Sequence, residues 1–439
     1  MGFLNSDKLI VGYDLGDEYS QISYAYSAGG EVETLSQVAG VHLFNIPTVL
    51  CKRYGTNQWL YGREAVRNAD NGQGVLVGNL LSLALDGEMV VVDGESFDPA
   101  ALLTLFVKRS LGLLPKPSEK IMALMITSPV FDRGILELLS RVVEGLGLKT
   151  DKVAFQSYGE SYYSYMLRQP WELMNSGSVL FEHRGDRIRV YRMEHNRYTT
   201  PVVVFVRQEE YILDHIPTDM PGEDDAAAES SPPEGLDAAL CHIAKAVCGD
   251  AVIGSVYLIG DGFAEEQLKA SLRFLCRGRR VFLGNNLFSK GACFGMQEKL
   301  ERSRAGEGHV FLGSDKLKAN VGMRILRNGE DSYYALLDAG MNWYEAERET
   351  ELYIQDGNEL ELVITPLAGN SRTGPGRGGR AKVVLDGLPG GITRIHMYLY
   401  MKEENCLAVE VEDLGFGEFR PSTGRVWNET VSVYAGEKE

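Results

Sequence analysis

Apolar positions along the chain change their spacing twice, and each spacing predicts a different kind of element. From residue 8 to about 50 they alternate, as at Ile22, Tyr24 and Tyr26 and again at Val32 and Thr34, ending in Asn45-Ile-Pro-Thr-Val-Leu50. Alternation of this kind puts one face of a β-strand on a core. A mixed, mainly helical segment follows to about 115, and then Lys120 to Pro129 is a nearly unbroken apolar run, the pattern of a strand covered on both faces. Arg133 to Gly147 carries Ile135, Leu138, Leu139, Val142, Val143 and Leu146 on one helical stripe, with Gly145 and Gly147 placed to end it.

A second set of strands begins at Ser178-Val-Leu-Phe181 and continues as Arg187 to Met193 and Pro201 to Val206. Next come a helix over Leu236 to Val247, a strand over Ser255 to Gly262 and a helix from about 264 to 277. Beyond Gly308 the spacing is that of short, turn-punctuated strands: Val321 to Leu326, Tyr333 to Leu337, Glu351 to Ile354, Leu360 to Thr365, Ala381 to Leu385, Thr393 to Met401 and Cys406 to Val411. The expected fold class is therefore multidomain, α/β followed by an all-β sandwich.

Composition narrows the partners. A chain of 439 residues is too long for one core, and its net charge of -17 argues against nucleic acid as the main partner, since phosphate binding needs a basic face. The stretch 217–235 has no basic residue and almost nothing apolar; it reads as an acidic surface loop, either a solvated insertion or a docking element for a basic partner. The six cysteines (Cys51, Cys241, Cys248, Cys276, Cys293, Cys406) are scattered and the histidines form no metal motif, as expected of buried thiols in a reducing compartment. No apolar window reaches the length of a membrane span, and the N-terminus lacks a basic region before an apolar one, so a cytoplasmic protein is expected.

Two turns carry candidate chemistry. In Ile10-Val-Gly-Tyr-Asp-Leu-Gly16 a strand runs into Asp14-x-Gly16 and on into a second strand. An Asp at the mouth of such a hairpin can hold Mg²⁺ through water, and Gly16 lets backbone N–H groups approach a phosphate; the same residues also make an ordinary tight turn. Gly260-Asp-Gly262 ends a strand before a helix, where amides receive a phosphate or a sugar, or simply turn the chain.

The order of these features resembles the DnaK-type heat-shock chaperones, members of the actin, sugar-kinase and heat-shock ATPase superfamily. Asp14-Leu-Gly16 is similar to the first phosphate motif, Ile46-Pro-Thr-Val49 with Tyr61-Gly-Arg-Glu-Ala65 to the following strand and helix, Thr127-Ser-Pro-Val-Phe131 to the next strand, Leu258 to Phe263 to the adenosine motif, and Lys290-Gly-Ala-Cys293 to the helix that closes the cleft. The stretch Gly387 to Asp413 resembles the peptide-binding β-domain, and Val310-Phe-Leu312 the apolar linker. The resemblance implies two actin-like ATPase-fold halves within 1–305 (lobes about 1–176 and 177–305), a linker at 306–315 and a substrate-binding-like sandwich over 316–439, with no helical lid expected after Glu439.

It also implies a cofactor set, ATP or ADP with Mg²⁺, held by Asp14, Gly16, Gly185, Gly260 and Gly262, with the metal on Asp14 through water and Asp14 and Glu182 as candidate catalytic residues. The departures fall on these parts. Phe181-Glu-His-Arg-Gly-Asp-Arg-Ile188 has Glu182 at the second phosphate Asp, and Arg184, Asp186 and Arg187 where Gly, Gly and Thr belong; Arg184 or Arg187 can instead contact an anion directly. Ser157-Tyr-Gly159 replaces the family's Glu-Pro-Thr, and Val77 to Leu81 has no lysine near the place of the catalytic one. The expectation is a degenerate pseudo-ATPase, more a binding module than an enzyme, whose β-domain takes a protein or peptide client at Met323, Leu352, Leu362 and Ile364, positions whose alternation suits a sandwich core better than a cleft. A slow, lidless ATP-dependent chaperone and a self-assembling actin-like scaffold are the alternatives.

Overall fold

The apolar run at 121–128 forms a strand, Ile121–Ser128, buried over almost its whole length because it lies inside a sheet. It runs parallel to Leu9–Leu15 on one side and to Val153–Ser157 on the other. Leu9–Leu15 in turn makes an antiparallel hairpin with Tyr19–Ala25, which pairs with Glu33–Thr34 and Ile46–Pro47. The computed structural model describes residues 8–433 apart from positions 39, 130, 175, 214–234, 250–251, 261, 264–267, 314, 356 and 368–378, so residues 217–234 of the acidic segment and the start of the helix expected from 264 lie outside the described residues.

Helices flank this first sheet. Arg133–Leu146 buries Ile135, Leu138, Leu139, Val142 and Leu146; Asp132 caps it by accepting from Ile135 N at 2.9 Å, and Gly147 ends it in the left-handed region at φ 63°. Pro99–Leu111 starts with Asp98 as cap and Pro99 at its first position. The segment read as mixed helical also holds two small antiparallel sheets, one of Trp59–Tyr61, Leu50–Arg53 and Gly74–Val77, the other of Val90–Val92 and Glu95–Phe97. Strands of three or four residues have too few alternations to announce themselves.

A second sheet repeats the plan of the first. Gly177–Arg184 makes an antiparallel hairpin with Arg187–Asn196, followed by Val202–Ile212, while Ile253–Gly260 and then Arg280–Gly284 join parallel on its other side. Helix Leu236–Cys248 supplies the crossover between Val202–Ile212 and Ile253–Gly260. The last helix of this half, Leu287–Leu300, lies against the first sheet. A Cβ on Gly12 would stand 2.2 Å from Cys293 N and 2.4 Å from Ser289 O, so only glycine admits the helix backbone this close. Ser23 and Ser289 share a 2.8 Å hydrogen bond across the same contact.

Contacts divide the chain into two units, one of 1–195 with 205–308 and one of 196–204 with 309–439. In the second unit the expected linker is a strand: His309–Phe311 pairs parallel with Val202–Val204, and Leu312 N donates to Val204 O at 2.9 Å. Two four-stranded antiparallel sheets make up the rest, Glu330–Leu337, Ala319–Arg327, Glu359–Pro366 and Gly379–Val384 in one, Glu347–Ile354, Thr393–Glu403, Cys406–Gly415 and Val426–Ser432 in the other. Val321, Leu362 and Val383 of the first share a single core with Ile395, Met397, Leu407 and Val409 of the second. Among the described residues no helix is long and apolar enough to cross a membrane.

Candidate functional site

The two hairpins of the α/β unit each bring a carboxylate to the end of their first strand, Asp14 in Leu9–Leu15 and Glu182 in Gly177–Arg184. Both are buried, with 1% of their surface exposed. Two carboxylates in a place without water need a cation, and Arg184 supplies it. Its Nε lies 2.6 Å from Glu182 Oε1, an ion pair without the alignment of a hydrogen bond, and its Nη2 lies 3.9 Å from Asp14 Oδ2.

Aromatic residues complete the cluster. Tyr158, at the start of helix Tyr158–Met166, donates its hydroxyl to Asp14 Oδ1 at 2.6 Å and accepts from Arg184 Nη2 at 3.1 Å. Tyr191, on the second strand of the second hairpin, donates to Glu182 Oε2 at 3.1 Å. The guanidinium carbon sits 4.5 Å from the ring centre of Tyr19, a cation–π contact, and Phe288 stacks on Tyr158 at 3.8 Å while meeting Tyr191 edge-on at 5.6 Å.

Burial sets the protonation of these groups. Burial pushes the Asp14 carboxyl up; Arg184 and the Tyr158 hydrogen bond pull it partly back, Glu182 adds to the rise, and it settles at about 6. The Tyr158 and Tyr191 hydroxyls are driven well above the usual phenol range by the same burial, so both remain donors. Burial opposes the charge on Arg184, yet Glu182 first among its neighbours holds it well above the ordinary range.

The cofactor residues expected from the sequence are brought to this region, but the space they would leave for a ligand is taken. A Cβ on Gly16 would stand 2.7 Å from Arg184 Nη1, so the guanidinium occupies the clearance over the first hairpin turn. Gly185 sits at φ 57° in the turn of the second hairpin, next to Arg184. His183 fills the room beside the third turn: Gly260 is its parallel neighbour, and a Cβ on Gly262 would fall 1.6 Å from His183 Nδ1. Asp261 lies outside the described residues. A magnesium ion at Asp14 would face the like charge of Arg184 at that carboxylate, and phosphate oxygens would meet Glu182. The residues in this arrangement do not fit a magnesium–nucleotide.

Residues 31–314 match the Family of unknown function (DUF5716) C-terminal, and residues 316–433 match the Domain of unknown function (DUF8552). The chain belongs to the DUF5716 family. No curated protein matches it. The family match begins after the first hairpin, so Asp14, Gly16 and Tyr19 precede it, whereas Tyr158, Glu182, Arg184, Tyr191 and Phe288 fall within it.

Sequence reasoning missed the aromatic part of the cluster. Tyr158 had a signal, since it stands in Ser157-Tyr-Gly159, where the DnaK-type chaperones that the sequence resembles carry Glu-Pro-Thr; Tyr19, Tyr191 and Phe288 had none. In the second unit the positions expected to line a peptide cleft are packed inward. Met323, Leu362 and Ile364 are 4%, 0% and 5% exposed, and Leu352 is half-buried against the same core. Their alternation is the alternation of a sandwich interior, and a peptide would reach them only by displacing the protein's own packing.

Proposed function

We propose that this protein is a binding scaffold on a DnaK-like, actin-related frame, in which an internal ion pair stands where that superfamily uses a metal-bound nucleotide. The shared order of the two sheets supports two actin-like halves: in each, a hairpin lies next to two parallel strands reached by helical crossovers. The observation that carries the functional reading is Arg184, whose side chain joins Glu182 of one half to Asp14 and Tyr158 of the other. A guanidinium provides the positive charge that the two carboxylates require and has no bond to break, so the frame holds its shape without turnover.

Client binding then falls to the β-domain, at a sheet edge rather than in a cleft. Among the described residues Val426–Ser432 pairs on one side only and leaves Val426, Asn428, Glu429, Thr430 and Ser432 exposed, an edge to which an extended protein segment adds by main-chain hydrogen bonds. The frame has no membrane-spanning helix among the described residues, in keeping with a cytoplasmic scaffold.

Calorimetry of ATP and ADP with Mg²⁺ on the full chain, with Asp14→Ala beside it, tests the reading. No heat of binding up to millimolar nucleotide is expected. Micromolar binding that Asp14→Ala abolishes would overturn it in favour of a slow, nucleotide-switched chaperone.

A further inference from the structure

The second sheet of the α/β unit ends in an edge with an unusual composition. Strand Arg280–Gly284 pairs with Ile253–Gly260 in unbroken parallel register, from Ser255 opposite Arg280 to Ile259 opposite Gly284, and no other strand joins it among the described residues. Exposed edges are normally blunted by proline, a bulge or a short length, because a row of unpaired N–H and C=O groups invites another strand. This one has no proline and no bulge, and it presents Phe282 and Leu283 at 38% and 44% exposure. Phe282 is held in place by stacking on Tyr257 at 5.0 Å, so its outer face is preorganised.

Charge says what fits there. The chain carries a net -17, yet Arg273 in the last turn of helix Lys269–Leu275, Arg277 and Arg279 in the turn after it and Arg280 at the head of the strand place four arginines within eight residues. Arg279 is committed to the fold, donating to Cys248 O at 2.7 Å. Arg273 and Arg280 are exposed and form no ion pair among the described residues. A basic rim on an acidic protein, at the end of an open apolar strand edge, is complementary to an extended acidic chain.

We propose that Arg280–Gly284 is a second docking edge, which takes an extended acidic segment of a partner protein by strand addition, with Arg273 and Arg280 steering it. This surface is independent of the ion pair at Arg184 and of the edge Val426–Ser432, so its failure and that of the scaffold reading are separable.

The probe is a blocked peptide of alternating glutamate and valine, with alternating lysine and valine as control, added to the full chain. Anisotropy of the labelled peptide reads affinity, and hydrogen exchange reads where it lies. The acidic peptide is expected to bind, to weaken as salt rises, and to slow exchange at residues 280–284, while the basic peptide does not bind. The pair Arg273→Glu and Arg280→Glu is expected to weaken binding about tenfold or more with the unfolding midpoint unchanged, since both side chains are exposed. Equal binding of the two peptides, no binding at millimolar peptide, or protection confined to Val426–Ser432 would each overturn the proposal.

Discussion

Replacing Arg184 with methionine removes the only cation that reaches both buried carboxylates among the described residues, while keeping most of the side chain's volume. With an effective dielectric of about 20, the 2.6 Å approach to Glu182 corresponds to roughly 6 kcal/mol of attraction and the 3.9 Å approach to Asp14 to roughly 4 kcal/mol. Desolvation of the three groups offsets most of that in the intact protein, but the variant keeps the desolvation and loses the attraction. Breaking a buried pair on one side costs about 3–5 kcal/mol, and that is the loss expected for Arg184→Met at pH 7.5. The sign of its pH dependence follows. Without Arg184 the Asp14 carboxyl loses the neighbour that pulls it down and titrates still higher in the folded state than in the unfolded chain, so the stability it contributes is present below the unfolded value and lost as pH rises. Urea unfolding followed by circular dichroism should therefore show the deficit shrinking by more than about 1 kcal/mol between pH 7.5 and pH 5. Adding Asp14→Asn and Glu182→Gln to Arg184→Met should restore much of the loss at pH 7.5, because no buried charge then remains. A loss below about 1 kcal/mol, or one equal at both pH values, refutes the claim that the guanidinium is what holds the two hairpins.

Three further outcomes follow from the same geometry. In the wild type, Asp14 is raised from 3.8 to about 6, so its contribution is fully present below pH 4 and lost as pH rises through 6; stability should increase by about 1 kcal/mol from pH 7 to pH 5, and Asp14→Asn should flatten that slope in urea titrations. Gly12→Ala puts a methyl 2.2 Å from Cys293 N and 2.4 Å from Ser289 O, both helix backbone, so thermal melting should report a loss of about 3 kcal/mol or more, or the variant should fail to accumulate in soluble form. Asp413, buried in the sandwich, accepts from Thr393 Oγ1 at 2.6 Å, Thr423 Oγ1 at 2.7 Å, Thr423 N at 2.9 Å and Gly415 N at 3.1 Å. Burial opposes its charge, but these bonds outweigh it and hold the carboxyl at about 2, so the stability it contributes persists above the ordinary carboxylate range and disappears only as pH falls toward 2. Asp413→Ala should cost about 3 kcal/mol at neutral pH, read as a shift of the denaturation midpoint.

The parts of the fold visible in the sequence are those where burial writes itself into spacing. The run at 121–128 is apolar throughout because both faces of the strand are covered, and the stripe of Arg133–Leu146 and the alternation of Thr393–Glu403 each mark a single buried face. Arg280–Gly284 left no such mark: as an edge strand it is largely exposed, so nothing constrains its residues to alternate. The same logic explains the peptide positions. Met323, Leu362 and Ile364 alternate because they face inward, and alternation alone does not distinguish a core from a cleft.

The candidate site was legible in its charges and illegible in its closure. Asp14 and Glu182 each stand near the end of a strand before a hairpin turn, a placement set by local sequence. What Arg184 does depends on Tyr158 and Phe288, which arrive from helices far along the chain and turn the space between the hairpins into a slot lined by aromatic rings. In such a slot water cannot screen the carboxylates, so whichever cation enters must stay. A metal-bound nucleotide would enter and leave, making the junction of the halves conditional on a ligand. An arginine tethered two residues from one of the carboxylates makes that junction permanent. On the proposed reading, this is the physical difference between a switch and a scaffold, and the Arg184→Met titration measures it.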